Sequence, residues 1–260
     1  MTSTTADRPL RLADRTALVT GATSGIGASI ARALAAEGAI VAVAGRDAQR
    51  GSLVVEGIIA EGGRAHFVPI DLAASPTELR AVAASTTAAL GGHLDILVNN
   101  AGIYPVPTTP DLTDDDLEAL LAVNVRAPHV LVAALAPAMA ERGSGAIIMI
   151  GSWMARVGNP FGALYTATKA ADEQLTRSWA AEFGPRGVRV NAVAPGVTRT
   201  PGNASAGEVL DAMTAGTPAG RPVRPVDIAN AVVFLASDDA AMVHGVVFDV
   251  DGGITATHAV

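Results

Sequence analysis

Tyr165 and Lys169 have the residue types and the spacing of an acid/base pair. They stand four residues apart in the stretch Gly-Ala-Leu-Tyr-Thr-Ala-Thr-Lys that ends at residue 169. On a helix, residues four apart leave the same face, one turn from each other. A free phenol loses its proton near pH ~10, and a neighbouring positive charge favours the phenolate and lowers that pKa. Such a pair is also common on solvated helix surfaces, so its meaning depends on the elements that position it.

Short apolar runs alternate with longer amphipathic segments along the whole chain. The predicted strands are Thr16–Thr20, Ile40–Ala44, Ala65–Ile70, Ile96–Asn99, Ala146–Ile150, Val188–Ala194 and Val246–Asp249. The predicted helices are Gly25–Glu37, Ala48–Ala60, Pro76–Leu90, Thr113–Met139, Ala163–Phe183 and Pro225–Ala236. Strands without polar alternation are typical of a parallel sheet covered on both faces. The sequence therefore predicts an α/β fold with helices on both sides of one sheet.

Composition excludes several classes of function. The chain has 260 residues, a net charge of −7 and no cysteine. The charge disfavours a nucleic-acid or anionic-membrane partner, and the absence of cysteine excludes disulfides and thiolate metal sites. No metal site is predicted. The first residues have no apolar signal core and no segment looks close to the ~18 apolar residues of a bilayer span, so we expect a cytoplasmic protein.

The chain is expected to form one domain. We expect residues 1–10 to be a flexible tail and residues 11–260 to be a single domain, because no linker divides them. The segment Thr198–Pro222 is rich in Gly, Pro, Ser and Thr and has no clear period. A long irregular stretch that follows a strand is typical of a lid or binding loop, here a substrate loop at about 198–222, although an ordinary surface loop fits the composition equally.

Three glycines follow the first predicted strand and open the first helix. Gly21, Gly25 and Gly27 have the spacing G-x-x-x-G-x-G. Missing side chains let the backbone turn sharply and approach a pyrophosphate, and the helix N-terminus offers free N–H groups to the anion. The pattern predicts a dinucleotide cradle.

The residues after the second strand bear on which dinucleotide is bound. Gly45 stands where an acid would accept from a ribose 2′-hydroxyl, and Arg46 follows, where a guanidinium can pair with a 2′-phosphate. Asp47 has the spacing of the acid in an NAD site, but it could equally be the N-cap of the next helix. We predict NADP, with NAD as the alternative.

With these motifs in order, the chain resembles the short-chain dehydrogenase/reductase family in its compact single-domain branch, from about Leu12 to Gly253. The resemblance rests on Thr20–Gly27, Asp71-Leu72, Asn99–Gly102, Pro195–Thr200 and Val250–Gly253. Asn124, Ser152, Tyr165 and Lys169 fall where the family carries its catalytic tetrad. The resemblance implies a doubly wound Rossmann fold with a seven-stranded parallel sheet, and a homotetramer. The cofactor contacts it implies are Gly21, Ser24, Gly25, Ile26, Gly27, Arg46, Asp71, Leu72, Asn100, Ala101, Gly102, Tyr165, Lys169, Pro195, Gly196, Thr198 and Thr200.

The chemistry that the resemblance implies is the interconversion of a ketone and a secondary alcohol by hydride transfer. Tyr165 would exchange a proton with the substrate oxygen, and Lys169 would lower the pKa of Tyr165 and hold the nicotinamide ribose. Ser152 would orient the substrate oxygen, and Asn124 would hold a water that resupplies protons. Pro128 suggests a kink that would free backbone groups near Asn124.

The substrate is predicted from the residues between Ser152 and Tyr165. Trp153, Met154 and Phe161 are expected to shape the pocket together with Ser152, which favours an apolar small-molecule carbonyl or alcohol. The chain is also similar to 3-oxoacyl-acyl-carrier-protein reductases, and Arg142 and Arg186 could meet an acidic carrier protein. A non-catalytic dinucleotide-binding sensor on the same fold is the alternative from a different class.

Overall fold

A computed structural model describes residues 9–257. The predicted flexible tail, residues 1–10, lies mostly outside the described residues, which begin at Pro9. Its flexibility and the single-domain assignment of residues 11–260 stay predictions.

Seven parallel strands form one sheet, as the sequence predicted. They are β1 (Thr16–Thr20), β2 (Ile40–Gly45), β3 (Arg64–Pro69), β4 (Ile96–Asn99), β5 (Gly145–Ile150), β6 (Val188–Pro195) and β7 (Val247–Val250). Their order across the sheet is β3-β2-β1-β4-β5-β6-β7. The order reverses direction between β1 and β4, so the loops that follow these two strands diverge and leave a crevice at the carboxyl edge of the sheet.

Within residues 9–257 the chain also forms eight α-helices, and both faces of the sheet are covered by helices. They are α1 (Gly25–Ala36), α2 (Ala48–Ala60), α3 (Pro76–Ala89), α4 (Asp114–Leu121), α5 (Ala127–Arg142), α6 (Ala163–Phe183), α7 (Gly207–Thr214) and α8 (Pro225–Ala236). Short 3₁₀ segments lie at Thr109–Asp111, Trp153–Arg156, Gly184–Arg186, Pro201–Ala206 and Asp238–Ala240. The doubly wound Rossmann fold is therefore confirmed, and each predicted strand lies within one residue of its observed ends.

The strands separate two apolar layers. One layer packs α1 and α8 against the sheet through side chains such as Ile30, Leu34 and Val232. The other layer packs α3, α5 and α6 through side chains such as Leu79, Leu131 and Trp179. Alternate residues of the central strands point into opposite layers, for example Val98 and Leu97 of β4, which explains why these strands show no polar alternation.

The segment predicted as one helix, Thr113–Met139, is divided. A π-helical turn, Ala122–Arg126, separates α4 from α5. Pro128 follows at the start of α5, where its missing N–H and fixed φ are tolerated. The expected kink therefore takes the form of a widened turn, which places Asn124 at its centre.

The expectation that no segment approaches the length and composition of a bilayer span was wrong. The helical stretch Asp114–Arg142 is long enough and contains an 18-residue window with a mean hydropathy of 1.7. Its apolar side chains Leu120, Leu131 and Met139 are buried in this domain. The hydropathy of this stretch thus reflects its place against the sheet.

The segment Thr198–Pro222 is more regular than its composition predicted. It contains the 3₁₀ turn Pro201–Ala206 and the helix α7. Asn203 organises its start, because its side chain accepts from the Thr200 N–H and donates to the Thr198 carbonyl, both at 2.8 Å. A side-chain amide that both accepts from and donates to the backbone can hold a segment whose sequence has no regular period.

Two glycines of the turn between β1 and α1, Gly21 and Gly27, are packed too closely for a Cβ to fit without a shift of its neighbours. A Cβ added to Gly27 would lie 2.3 Å from the Gly21 carbonyl oxygen and 2.5 Å from the Asn100 amide nitrogen. Gly21 itself has φ +63°, and a Cβ there would lie 2.8 Å from the Ala101 Cα. The absent side chains are therefore what lets the end of β4 approach the turn.

We predict that Gly27→Ala lowers the free energy of unfolding by about 1–3 kcal/mol, because the added methyl overpacks backbone that cannot move aside. Chemical denaturation measures this change. Gly158→Ala is the matched control, since its added Cβ would meet no atom within 4 Å. Equal stability of the two variants would contradict the packing argument.

Candidate functional site

A cleft of about 340 Å³ opens at the carboxyl ends of β1, β2 and β4. Most of the predicted cofactor contacts line it, namely Gly21, Ser24, Gly25, Ile26, Gly27, Arg46, Asp71, Leu72, Asn100, Ala101, Gly102 and Thr200. Thr23, Arg50, Ile70, Ile103, Tyr104, Val123 and Gly202 also line it and were not predicted. The cleft lies at the point where the strand order reverses, which is where open α/β sheets bind ligands.

The N-terminus of α1 faces this cleft without a side-chain cap. Ser24 is the N-cap residue, and its hydroxyl makes no capping hydrogen bond. The first N–H groups of the helix therefore have no acceptor on the N-cap side chain, and the helix dipole adds a partial positive charge. This donor set fits a pyrophosphate, and the closely packed glycines let the backbone approach one.

Hydrogen bonds join the turn after β1 to the end of β4. The Asn100 amide donates to the Thr20 carbonyl at 2.8 Å and to the Gly21 carbonyl at 3.3 Å. The Thr20 hydroxyl accepts from the backbone N–H groups of Asn100 and Ala101, both at 3.1 Å. The two walls of the cleft are thus fixed to each other before any ligand enters.

The end of β2 has no free acid for a ribose. A Cβ on Gly45 would lie 2.6 Å from the Thr23 methyl, so Thr23 occupies the space that an acidic side chain would need. Asp47 caps α2 by accepting from the Arg50 N–H at 2.9 Å, and it also pairs with the Arg50 guanidinium at 2.7 Å. The N-cap interpretation of Asp47 is therefore confirmed. Arg46 is exposed at the cleft.

The predicted cofactor residues Pro195, Gly196 and Thr198 belong to the turn that leads to Thr200 at the cleft. Thr200 packs over the turn, since its Cβ is 3.6 Å from the position of a Cβ on Gly25. Gly196 packs against the C-terminal signature, where a Cβ would lie 2.6 Å from the Asp251 Cα. The Thr198 hydroxyl donates to the Gly196 carbonyl at 2.8 Å. Pro195 ends β6, so this turn is held by strand, glycine and hydroxyl together.

Lys169 lies just behind the inner end of the cleft. Its ammonium is fully buried and donates to the Ile150 carbonyl at 2.8 Å and to the Asp172 carboxylate at 3.0 Å. A Cβ on Gly102, which lines the cleft, would lie 3.5 Å from the Lys169 nitrogen. Burial disfavours the ammonium, but the Asp172 carboxylate and the tyrosinate form of Tyr165 together outweigh burial, so the pKa of Lys169 is raised.

Asn124 ties three elements together. Its side-chain oxygen accepts from the Ile103 N–H at 2.9 Å, and its amide donates to the Ile103 carbonyl at 2.9 Å and to the Thr168 hydroxyl at 3.1 Å. The Thr168 hydroxyl in turn donates to the Tyr165 carbonyl at 2.7 Å. Both N–H groups of the Asn124 amide are thereby used, and its oxygen keeps one lone pair that could accept from a water.

Tyr165 and Ser152 approach this cluster from two elements. Tyr165 is half-buried in the first turn of α6, four residues before Lys169. Ser152 is buried and stands two residues beyond the carbonyl that Lys169 binds. Its hydroxyl accepts from the Met154 N–H at 3.2 Å, so it also begins the 3₁₀ turn Trp153–Arg156. Asn124, Ser152, Tyr165 and Lys169 thus lie on neighbouring elements, which are joined by the hydrogen bond from Asn124 to Thr168 and by that from Lys169 to the Ile150 carbonyl.

Of the predicted substrate-pocket residues, Trp153 and Met154 are half-buried, and Phe161 is 44% exposed. The loop after β4 supplies neighbours that the sequence analysis did not name. The Gly162 N–H donates to the Pro107 carbonyl at 2.8 Å, and Val106 packs against Gly162 just before Tyr165. Val106 is thereby placed close to the start of α6, and both Val106 and Tyr104 of the same loop are exposed.

The residues that sequence analysis missed lack a family motif but carry local signals. Thr23 lies inside the glycine turn, and Asn203 stands three residues after Thr200, the spacing of an N-terminal cap. Asp172 stands three residues after Lys169, which is helix-neighbour spacing for an ion pair. Within residues 9–257 no three His, Asp or Glu side chains come together in a group that could hold a metal ion.

A family model described as enoyl-(acyl carrier protein) reductase matches residues 21–255. A cyclopentanol dehydrogenase of Comamonas sp. is 35% identical over 252 residues, which cover 95% of this chain and 99% of that protein.

Solved structures are similar over the same length. One from Beutenbergia cavernae, described as a candidate NAD(P)-dependent gluconate 5-dehydrogenase with NADP bound at low occupancy, has a TM-score of 0.89 and 41% identity, covering 96% of this chain and 100% of that chain. A short-chain dehydrogenase from Burkholderia cenocepacia in complex with NADP has a TM-score of 0.87 and 40% identity, covering 95% and 100%.

The fold, the cleft and these relatives lead to one conclusion. The chain belongs to the short-chain dehydrogenase/reductase family, as an NAD(P)-dependent oxidoreductase that interconverts ketones and secondary alcohols.

Proposed function

We propose that the protein is an NADP(H)-dependent carbonyl reductase or alcohol dehydrogenase of small molecules, with Asn124, Ser152, Tyr165 and Lys169 as its catalytic residues. The observation that carries this proposal is the position of Lys169. Its ammonium is buried behind Gly102, so one backbone residue separates it from the cleft that fits a dinucleotide. A charge held there can act on a bound ribose and on Tyr165 in the same helix.

Each catalytic residue has a role that its surroundings support. Tyr165 exchanges a proton with the substrate oxygen, and Ser152 orients that oxygen by a hydrogen bond. Lys169 holds the ribose and supplies positive charge, and Asn124 fixes the loop after β4 against α6. NADP(H), held by the glycine turn, Asp71, Leu72, Asn100, Ala101 and the turn Pro195–Thr200, supplies or accepts the hydride.

The preference for NADP over NAD is supported by the end of β2. Thr23 fills the space beside Gly45, and the carboxylate of Asp47 is used by Arg50 and by the N-terminus of α2. A ribose 2′-hydroxyl therefore meets no free carboxylate among the residues described at this end of the strand. Arg46 is exposed at the cleft, where a guanidinium can form charge-assisted bonds with a 2′-phosphate. The two NADP complexes among the similar structures agree with this preference.

The substrate that the site favours is a small carbonyl compound or alcohol with an apolar part. Tyr104 and Val106 in the loop after β4 and Phe161 just before α6 are exposed by 59%, 42% and 44%. Such side chains gain from covering an apolar surface. The dehydrogenase of the cyclic alcohol cyclopentanol among the relatives supports the same class.

A carrier-bound substrate has less support. The Arg142 guanidinium donates to the Leu94 carbonyl at 2.6 Å and to the Ala138 carbonyl at 3.1 Å, so it caps α5. The Arg186 guanidinium lies 5.3 Å from the centre of the Phe183 ring. Both groups are engaged within this chain, which reduces their use as a docking patch for an acidic carrier protein.

We predict that Tyr165→Phe reduces turnover by about 100-fold or more in both directions, because the phenol oxygen that exchanges the proton is removed. Turnover is followed by NADPH absorbance with cyclic ketones, short keto esters and secondary alcohols. Ser85→Ala is the control, because it removes the hydroxyl of an exposed residue of α3 that does not line the cleft. The control should keep most of the turnover. Cofactor binding without turnover of any substrate in the wild type would instead favour a dinucleotide sensor.

We predict that Arg46→Ala weakens NADPH binding by about tenfold and leaves NADH binding nearly unchanged, because only the 2′-phosphate loses its charged partner. Fluorescence titration of the two reduced cofactors measures this split. Arg32→Ala is the control, because Arg32 is an exposed arginine of α1 that pairs with Glu61 at 3.1 Å. Tighter binding of NADH than of NADPH by the wild type would refute the assignment of Arg46.

A further inference from the structure

Lys169 is the only lysine in the chain, since the other 17 of the 18 basic residues are arginines. The proposed catalytic role explains why a lysine is present at this position. It does not explain how the ammonium stays charged there. Its side chain is 7% exposed, and an isolated ammonium in such a place tends to lose its proton. The protein must therefore supply a partner that keeps it charged.

That partner is Asp172, one turn further along α6. Its side chain is 3% exposed, and one carboxylate oxygen accepts from the Lys169 ammonium at 3.0 Å. The other carboxylate oxygen, Oδ1, is buried and has no hydrogen-bond partner among the described residues. The only described hydrogen bond of this carboxylate is thus the one that it receives from Lys169.

Asp172 also affects the orientation of the Lys169 ammonium. An ammonium has three N–H donors, and here the Ile150 carbonyl and Asp172 accept from two of them. One donor remains, on a nitrogen that lies 3.5 Å from the position of a Cβ on Gly102. Two fixed acceptors therefore set the direction in which the third donor can point.

We propose that Asp172 is a positioning residue that holds the Lys169 ammonium charged and orients its remaining donor toward the cleft. This rests on the proposed function of Lys169, but it concerns a property of the free protein that can be measured without substrate. The alternative is that Asp172 is itself protonated in its buried position and contributes only packing.

Other charged groups lie on α6 and on the elements packed against it, and several of them have partners of their own. Glu173 pairs with Arg156 at 3.0 Å and with Arg177 at 3.9 Å, and Arg156 also pairs with Asp249 of β7. Arg126 donates to the Ala73 carbonyl. The elements packed on α6 also carry Arg186 beside Phe183, Arg189 at the carbonyls that end α8, and Asp114, Asp115, Asp116 and Glu118 of α4. Besides Asp172, the tyrosinate form of Tyr165 favours the charged form of Lys169.

A single lysine makes the proposal directly testable. Lysine labelled with ¹³C at Cε gives one side-chain signal for the chain, and its chemical shift reports the ionisation of Lys169. In the cofactor-free wild type we expect this signal to show a charged ammonium up to a pH of about 10 or above. In Asp172→Asn, which keeps the shape and removes the charge, we expect the ionisation midpoint to fall by about two pH units or more.

Two further variants separate the charge from packing. Glu173→Gln removes the neighbouring buried carboxylate and should leave the Lys169 midpoint within about half a pH unit of the wild type. Asp172→Glu restores the charge, so the ionisation midpoint of Lys169 should lie close to its wild-type value. An Asp172→Asn protein whose lysine titrates as in the wild type would overturn the proposal, and so would an equal shift in Glu173→Gln.

The pH dependence of stability gives a second measurement. In the wild type the pKa of Lys169 is raised, so its stabilising contribution is complete below the unfolded value and is lost only as pH rises through the folded one. In Asp172→Asn the folded pKa lies below the unfolded value, so the unfolded chain binds more protons between the two. The thermal midpoint of this variant should therefore rise relative to the wild type between pH 8 and about 10, and a constant difference would contradict the proposal.

Both outcomes are independent of the reaction. If Tyr165→Phe keeps full turnover while the lysine signal moves as expected, the proposed function fails and the role of Asp172 stands. If the lysine signal does not move while Tyr165→Phe is inactive, Asp172 is a packing residue in an enzyme of the proposed type.

Discussion

The arrangement of the site depends on the burial of one ammonium. Moving a charge out of water is costly unless it is paired and hydrogen-bonded, and removing one member of a buried pair costs about 3–5 kcal/mol. Lys169 satisfies this requirement with the Ile150 carbonyl and the Asp172 carboxylate. Because one acceptor belongs to β5 and the other to α6, the ammonium fixes the helix against the strand. The same contact also sets the position of Tyr165 relative to β5, because Tyr165 lies one turn earlier on α6.

Asn124 connects α6 to the loop after β4, which borders the cleft. The π turn between α4 and α5 presents its side chain to the Ile103 backbone and to Thr168 of α6. Without the extra residue of a π turn, a continuous helix would rotate the following residues by about 100° relative to the preceding ones. The irregular turn thus serves two purposes, since it aims Asn124 and keeps α5 packed on the sheet. Helix period alone cannot reveal this, which is why the sequence predicted one helix from Thr113 to Met139.

The parts of the structure that sequence predicted well are those with a short-range signal. The strands follow from apolar runs, and the turn after β1 follows from glycines whose added Cβ atoms would collide with backbone. Asp47 was ambiguous by spacing, and the structure resolved it, because its carboxylate accepts from the Arg50 N–H. Asp172 and Asn203 were missed although their spacing is a local signal, whereas other missed contacts join residues far apart in the chain, such as the Val106 packing on Gly162. These long-range contacts depend on the packing of the whole domain, and no local pattern encodes them.

The two sides of the site are built by different means, and this bears on what can vary. On the cofactor side the walls are backbone, held by Thr20 and Asn100 through hydrogen bonds that any replacement would lose. On the other side lie exposed apolar side chains such as Val106 and Phe161, which are exposed by 42% and 44%. Substitution of an exposed side chain costs little stability, whereas substitution of a close-packed glycine costs more. The second side can therefore be altered with a smaller loss of stability than the glycine turn or the surroundings of the buried Lys169 charge.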